Sequence, residues 1–176
     1  VVLIAGLVDE LHPKLVVELG SGVSTLVGGY CLKKQDAGRL ISFEQDEKYA
    51  ENMRREVIRH GLDDMVTIVH APLTEITAGG EPGRWYDEDV FKGIETIDLL
   101  VVDGPSVSGG ELRRYPAFPV LYGRFSERAA VLLDDAGRED ERRCVERWLG
   151  EYPGLAVERP PTEKGAVILR KQDRTA

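Results

Sequence analysis

The sequence predicts an α/β fold built on one doubly wound, mostly parallel sheet. Three observations carry this. Short apolar runs of strand length alternate with helical patterns along the chain. The first run ends in Glu18-Leu19-Gly20-Ser21-Gly22, a carboxylate followed at once by glycines. Successive runs then end at Glu18, Glu44, His70, Asp103 and Asp134, each in or beside a carboxylate or an imidazole. Right-handed crossovers place all strand C-termini on one edge, where ligands of such sheets bind. Burying these groups is costly unless they are paired or bind something.

The elements follow in order. Val1 to Leu11 reads as an apolar helix closed by His12-Pro13, and Lys14 to Glu18 as a buried strand. Ser24 to Lys34 carries Leu26, Val27, Tyr30 and Cys31 at helical spacing, with Gly38 terminating the region. Leu40 to Glu44 is the second strand. Asp46 caps a helix bearing Tyr49, Met53 and Val57, with Gly61 just past its end. Val66 to Val69 is the third strand. Ala78 to Gly93 is polar and rich in glycine and reads as a surface loop, with Trp85 and Tyr86 stacking on substrate or packing the loop down. Ile97 to Val102 is continuously apolar, as a central parallel strand should be. Gly104 to Gly110 reads as a flexible loop. Pro116 and Pro119 fit a helix's first turn, where a missing N–H matters little. Ala129 to Leu133 is a fifth strand, and Glu139 to Leu149 a helix. Leu155 to Glu158 and Ala166 to Leu169 form an antiparallel closing pair around a Pro-Pro turn, completing seven strands.

Length and composition bound the function. A chain of 176 residues is one domain, here 1–176. Val1 in place of an initiator Met suggests a trimmed or partial N-terminus, and a substrate lid is one segment such trimming would remove. The net charge of −8 and the short basic pairs, such as Arg54-Arg55 and Arg142-Arg143, argue against nucleic acid. No apolar run approaches the ~20 residues of a membrane span. Cys31 and Cys144 lack metal or disulfide spacing, and sparse cysteine fits a reducing cytoplasm. His12 and His60 sit at helix ends and receive no role. The oligomeric state stays open, a homo-oligomer included.

The glycine turn points to a nucleotide-like cofactor. Against the dinucleotide fingerprint, Thr25 stands where a third glycine is expected. Glu18 beside the loop would repel a pyrophosphate and suits a cofactor bearing positive charge. Glu44 does not discriminate between cofactors, since dinucleotide folds also place an acid at the ribose roughly 20 residues after the glycines. An NAD(P)-dependent oxidoreductase and a non-catalytic binding module therefore remain as alternatives.

Glu18-x-Gly20-x-Gly22 resembles the first motif of the class I S-adenosylmethionine-dependent methyltransferases. The resemblance implies a Rossmann-like seven-stranded fold and S-adenosylmethionine held by Glu18, Gly20, Ser21, Gly22, Ser24 and Thr25. It further implies Glu44 and Gln45 at the ribose, His70 and Ala71 near adenine, and Asp103 at the reacting end. Asp103-Gly104-Pro105 and Leu133-Asp134-Asp135 look like the corresponding segments of small metal-dependent O-methyltransferases, of the catechol or sugar type. That likeness implies Mg²⁺ on Asp103, Asp134 and Asp135, activating a hydroxyl of a small-molecule substrate, with Asp103 as the catalytic residue. One departure stands out. Gly104-Pro105-Ser106-Val107-Ser108 holds neither the His nor the Lys that related enzymes often use as a base. Arg113, Arg114 and Tyr115 follow the same loop and are candidates for substrate recognition, and Thr162 to Gly165 for a turn reaching the cofactor edge.

Overall fold

The computed structural model describes residues 1–106 and 111–171. Part of the expected Gly104–Gly110 loop, residues 107–110, lies outside them. Helix α1 (Val2–Leu11) leads into β1 (Leu15–Leu19), followed by α2 (Val23–Gln35), β2 (Arg39–Glu44), α3 (Glu47–Arg59) and β3 (Val66–His70). Then come β4 (Leu73–Ala78), β5 (Glu81–Tyr86), β6 (Ile97–Val102), α4 (Ala117–Leu121), β7 (Phe125–Asp134), α5 (Glu139–Glu151), β8 (Leu155–Glu158) and β9 (Ala166–Lys171).

Seven strands form one sheet in the order β3-β2-β1-β6-β7-β9-β8. Neighbours from β3 through β7 run parallel, and β9 is antiparallel to both β7 and β8. The chain winds outward from β1 to β3, then returns to β6 on β1's other side. That reversal opens a crevice above the C-terminal ends of β1, β2 and β6.

Alternate residues of β1 face opposite layers. Leu15, Val17 and Leu19 join Trp85, Phe118 and Trp148 beneath the β4–β5 hairpin, α4 and α5. Val16 joins Ile4, Leu32 and Met53 beneath α1, α2 and α3. Glu18 therefore points toward the α1–α3 layer, as Val16 does. Asp46 caps α3 as expected, its carboxylate accepting from the Tyr49 N–H at 2.8 Å.

One expectation fails. The region from Ala78 to Gly93 is not a surface loop. It contains the second strand of an antiparallel hairpin, closed by Gly79-Gly80, both at positive φ. Such a two-residue turn suits the twist of the flanking strands. Pro82 and Gly83 inside β5 hide it from sequence patterning, since both weaken a strand reading. Trp85, Tyr86 and Phe91 are fully buried, with Trp85 stacked on Phe91 at 5.4 Å and Phe91 against Phe43 at 4.6 Å. Both cysteines are unpaired, Cys144 buried and Cys31 half-buried. Among the described residues, no helix is long and apolar enough to cross a membrane.

Candidate active site

The β1–α2 turn is tied down from beneath. Gly20 takes φ +88°, and a Cβ there would lie 2.9 Å from the Gly104 nitrogen. The two loops thus meet backbone to backbone. Thr25 in the first turn of α2 accepts the Gly22 N–H at 2.9 Å and donates to Glu18 Oε2 at 2.5 Å. Ser42, opposite Glu18 in the β1–β2 register, donates to the same oxygen at 2.6 Å. Glu18 Oε1 is buried without a hydrogen-bond partner among the described residues. Burial pushes the Glu18 carboxyl up to about 7, against the pull of the Ser24, Ser42 and Thr25 hydroxyls. Glu18 thus lies under the loop and supports it, rather than lining the open cleft.

Glu44 lies at the lip of a cleft of about 670 Å³, with Gly20, Ser21, Gln45, Asp103 and Ser106 around it. Its Oε2 accepts from the Ser21 N–H at 3.1 Å and the Ser21 hydroxyl at 2.9 Å, and its Oε1 accepts the Asp46 N–H at 3.1 Å. Oε2 thus has both lone pairs engaged, while Oε1 keeps an acceptor site at the cleft lip. Gln45 donates to the Ser106 hydroxyl at 2.8 Å, joining the second and fourth parallel-strand loops. His70 pairs in register with Glu44, and the Ala71 N–H donates to the Glu44 carbonyl at 2.8 Å. Both therefore sit on the same edge, one strand farther out.

Tyr86, which sequence alone leaves either stacking on substrate or packing a loop down, reaches this edge as well. Its hydroxyl donates to Gln45 Oε1 at 3.5 Å and would lie 2.4 Å from a Cβ on Gly104. Burial pushes its phenol well above the ordinary value. The aromatic pair Trp85-Tyr86 was the available signal, but only the hairpin shows where it points.

The acidic residues behave differently from expectation. Asp103 is 42% exposed at the cleft rim, and Asp134 is exposed, whereas Asp135 is buried. Between them lies Arg114, only 3% exposed. Its Nη2 donates to the Asp103 carbonyl at 2.6 Å and to Asp103 Oδ1 at 3.1 Å, and stands 3.8 Å from Asp135 Oδ2. Its Nη1 donates to the Asp134 carbonyl at 2.8 Å. Arg138 holds Asp135 Oδ2 at 2.8 Å. Burial raises the Asp103 carboxyl, Arg114 lowers it, and Asp134 and Asp135 raise it further. Asp103, Asp134 and Asp135 do not close into a ligand set. Among the described residues no group of three or more His, Cys, Asp or Glu is arranged to hold a metal ion. The Arg114 guanidinium stands between the Asp103 and Asp135 carboxylates.

Tyr115 is held by the protein's own groups. It is buried, donates to Glu151 Oε2 at 2.5 Å, and carries the Arg147 guanidinium 3.9 Å above its ring. Arg113 lines the cleft. The turn at residues 162–165 does reach the sheet edge, where the Lys164 carbonyl accepts the Gly137 N–H at 2.9 Å beside Asp135.

Known proteins share the family and the fold. The family described as a methyltransferase domain matches residues 17–136, from the first strand through the acids after β7. Solved structures share the fold at low identity. A methyltransferase from Geobacter sulfurreducens aligns with TM-score 0.68 and 17% identity, covering 97% of this chain and 77% of its own. A methyltransferase from Podospora anserina, solved bound to SAH, aligns with TM-score 0.71 and 18% identity over 97% and 77%. The O-methyltransferase TomG from Streptomyces achromogenes, in complex with SAM and involved in tomaymycin synthesis, gives 0.68 and 16% over 97% and 78%. The glycine turn, the Glu44 lip and the match across residues 17–136 together make the chain a member of the class I S-adenosylmethionine-dependent methyltransferase family.

Proposed function

We propose that the protein methylates a hydroxyl group of a small molecule, using S-adenosylmethionine bound above β1, β2 and β6. The observation that carries this is Glu44. Its carboxylate is fixed at the strand tip by Ser21 and Asp46 and lines the cleft, with an acceptor site left on Oε1 for a ribose hydroxyl. The cradle fits as well. Gly20 and Gly104 meet so closely that a side chain on either would force the two cleft loops apart. The O-methyltransferase neighbours favour a hydroxyl acceptor.

When bound, the cofactor supplies a methyl group on a sulfonium, a leaving group that needs no protonation. The chain's own residues do the rest. Glu44, Ser21 and the Gly20–Gly22 turn bind and orient. Gln45 and Ser106 join the two loops that flank the cleft. Asp103 at the rim keeps Oδ2 available to accept the proton of the attacking hydroxyl, so the missing His or Lys after it need not be replaced. Alignment of the attacking oxygen with the methyl group supplies much of the acceleration, up to ~7–11 kcal/mol in well-oriented cases. Free cysteines and the acidic charge suit a cytoplasmic location and a small-molecule partner.

Isothermal calorimetry with S-adenosylhomocysteine tests the reading. Binding in the micromolar range is expected for wild type, with roughly a tenfold or greater loss for Glu44→Ala when a charge-assisted hydrogen bond disappears. A folded wild-type protein that fails to bind would end the proposal. An unchanged affinity in Glu44→Ala would remove Glu44 from it.

A further inference from the structure

The cation at the centre of the acidic cluster belongs to the chain itself. One nitrogen, Arg114 Nη2, faces Asp103 Oδ1 at 3.1 Å and Asp135 Oδ2 at 3.8 Å. It therefore stands at the point from which a bridging ion would reach both carboxylates. On its other side, Arg114 Nε is 3.5 Å from Glu141 Oε1. Glu141 is 1% exposed, and neither of its oxygens has a hydrogen-bond partner among the described residues. Its charge compensation therefore rests on this guanidinium. The two carbonyl contacts, to Asp103 and Asp134, pin the fork in place. A guanidinium stays charged across the accessible pH range and presents its donors in a rigid plane. A divalent ion needs carboxylate oxygens at about 2.0–2.6 Å. Drawing Asp103 and Asp135 onto one would displace Arg114 and strand Glu141, and an unpaired buried charge is strongly destabilising.

We propose that Arg114 takes the place of a bridging divalent cation in this site: it is the fixed positive charge that holds Asp103 at the cleft rim, and methyl transfer here runs without a metal. This rests on the function proposed above. Arg114 is a positioning residue, acting through Asp103. Asp103 Oδ1 is engaged by it, which leaves Oδ2, without a hydrogen-bond partner among the described residues, as the oxygen to receive a proton.

The test is a Mn²⁺ titration followed by electron paramagnetic resonance, on wild type, Arg114→Lys and Arg114→Ala. Wild type and Arg114→Lys should show no saturable site up to about 1 mM, the weak end of carboxylate sites. Arg114→Ala should gain one, with affinity raised roughly tenfold or more. An arginine that merely stabilised the fold would lower the melting temperature on truncation without creating metal affinity. A saturable Mn²⁺ site in wild type that Asp103→Asn abolishes would overturn the proposal, as would a folded Arg114→Ala with no gain. If Arg114→Ala does not fold, the wild-type titration decides, binding overturning the proposal and its absence supporting it. S-adenosylhomocysteine calorimetry on the same samples separates the two readings. Lost cofactor binding in wild type counts against the proposed function, and Mn²⁺ binding counts only against the role of Arg114.

Discussion

Thr25 bridges Glu18 and the glycine turn, accepting the Gly22 N–H at 2.9 Å and donating to Glu18 Oε2 at 2.5 Å. One hydroxyl thus satisfies a helix N-terminal donor and one oxygen of a buried carboxylate. Thr25→Ala should destabilise the protein by about 1–3 kcal/mol, because both groups lose a partner in a dry setting. Thr25→Ser should restore most of this. Urea unfolding of both variants checks it, and equal losses in the two would show that the methyl group, not the hydroxyl, matters.

Stability should fall as pH rises through the Glu18 titration. The folded carboxyl titrates near 7, against an ordinary value of 4.5. Below 4.5 it is neutral in both states and carries no penalty. Between 4.5 and 7 the folded state holds the proton more tightly, so each step upward favours unfolding. Above 7 the loss is complete, on the order of 3 kcal/mol. Glu18→Gln removes this term, so its stability relative to wild type should improve by about that amount from pH 4.5 to 8. Parallel unfolding profiles for the two proteins would refute it.

Gly104→Ala should disturb the cleft. The new Cβ would sit 2.4 Å from the Tyr86 hydroxyl and 2.9 Å from the Gly20 Cα. Overpacking of this kind costs about 1–3 kcal/mol, and S-adenosylhomocysteine affinity should drop with it. Tyr86→Phe in the same chain should recover part of the stability, since only the hydroxyl clash is relieved. A double-mutant cycle reads the coupling directly. Strict additivity would mean that the loop moves away from Tyr86 instead.

Trp85→Ala should cost about 3–5 kcal/mol, the scale for emptying a large buried aromatic site. Trp85→Phe should cost under about 1.5 kcal/mol, because the indole N–H has no partner among the described residues to lose. Thermal denaturation of the two variants distinguishes a packed hairpin from a solvated one. Matching melting temperatures for Trp85→Ala and wild type would contradict the packing described above.

The helices α1, α2 and α3 and the sheet's parallel strands were legible because hydrophobic period and capping residues act locally. Asp46 before its helix and the apolar run Ile97–Val102 need no partner to be recognised. The hairpin was not legible, since Pro82 and Gly83 argue locally against a strand that Trp85 and Tyr86 stabilise from the far side of the core. At the site, sequence supplied the order Glu18, Glu44, Asp103, Asp134, Asp135 along one sheet edge. It did not supply the direction of any side chain. Glu18 faces down because strand pleat sends it with Val16 toward α2, and Ser42 opposite completes its pocket. Arg114 is remote in sequence from the β7 acids it neutralises, and nothing at its own position marks it as buried.

The sequence by itself determined the family: strand-ending glycines and acids at fixed order encode where a cofactor lies, through backbone geometry that every member shares. Tertiary structure alone decided the charge at the reacting end. What stands between three neighbouring carboxylates is set by packing, not by their order in the chain. Here a guanidinium from the segment before α4 stands between the Asp103 and Asp135 carboxylates and beside buried Glu141, a contact between residues far apart in the chain that only the packed fold brings together.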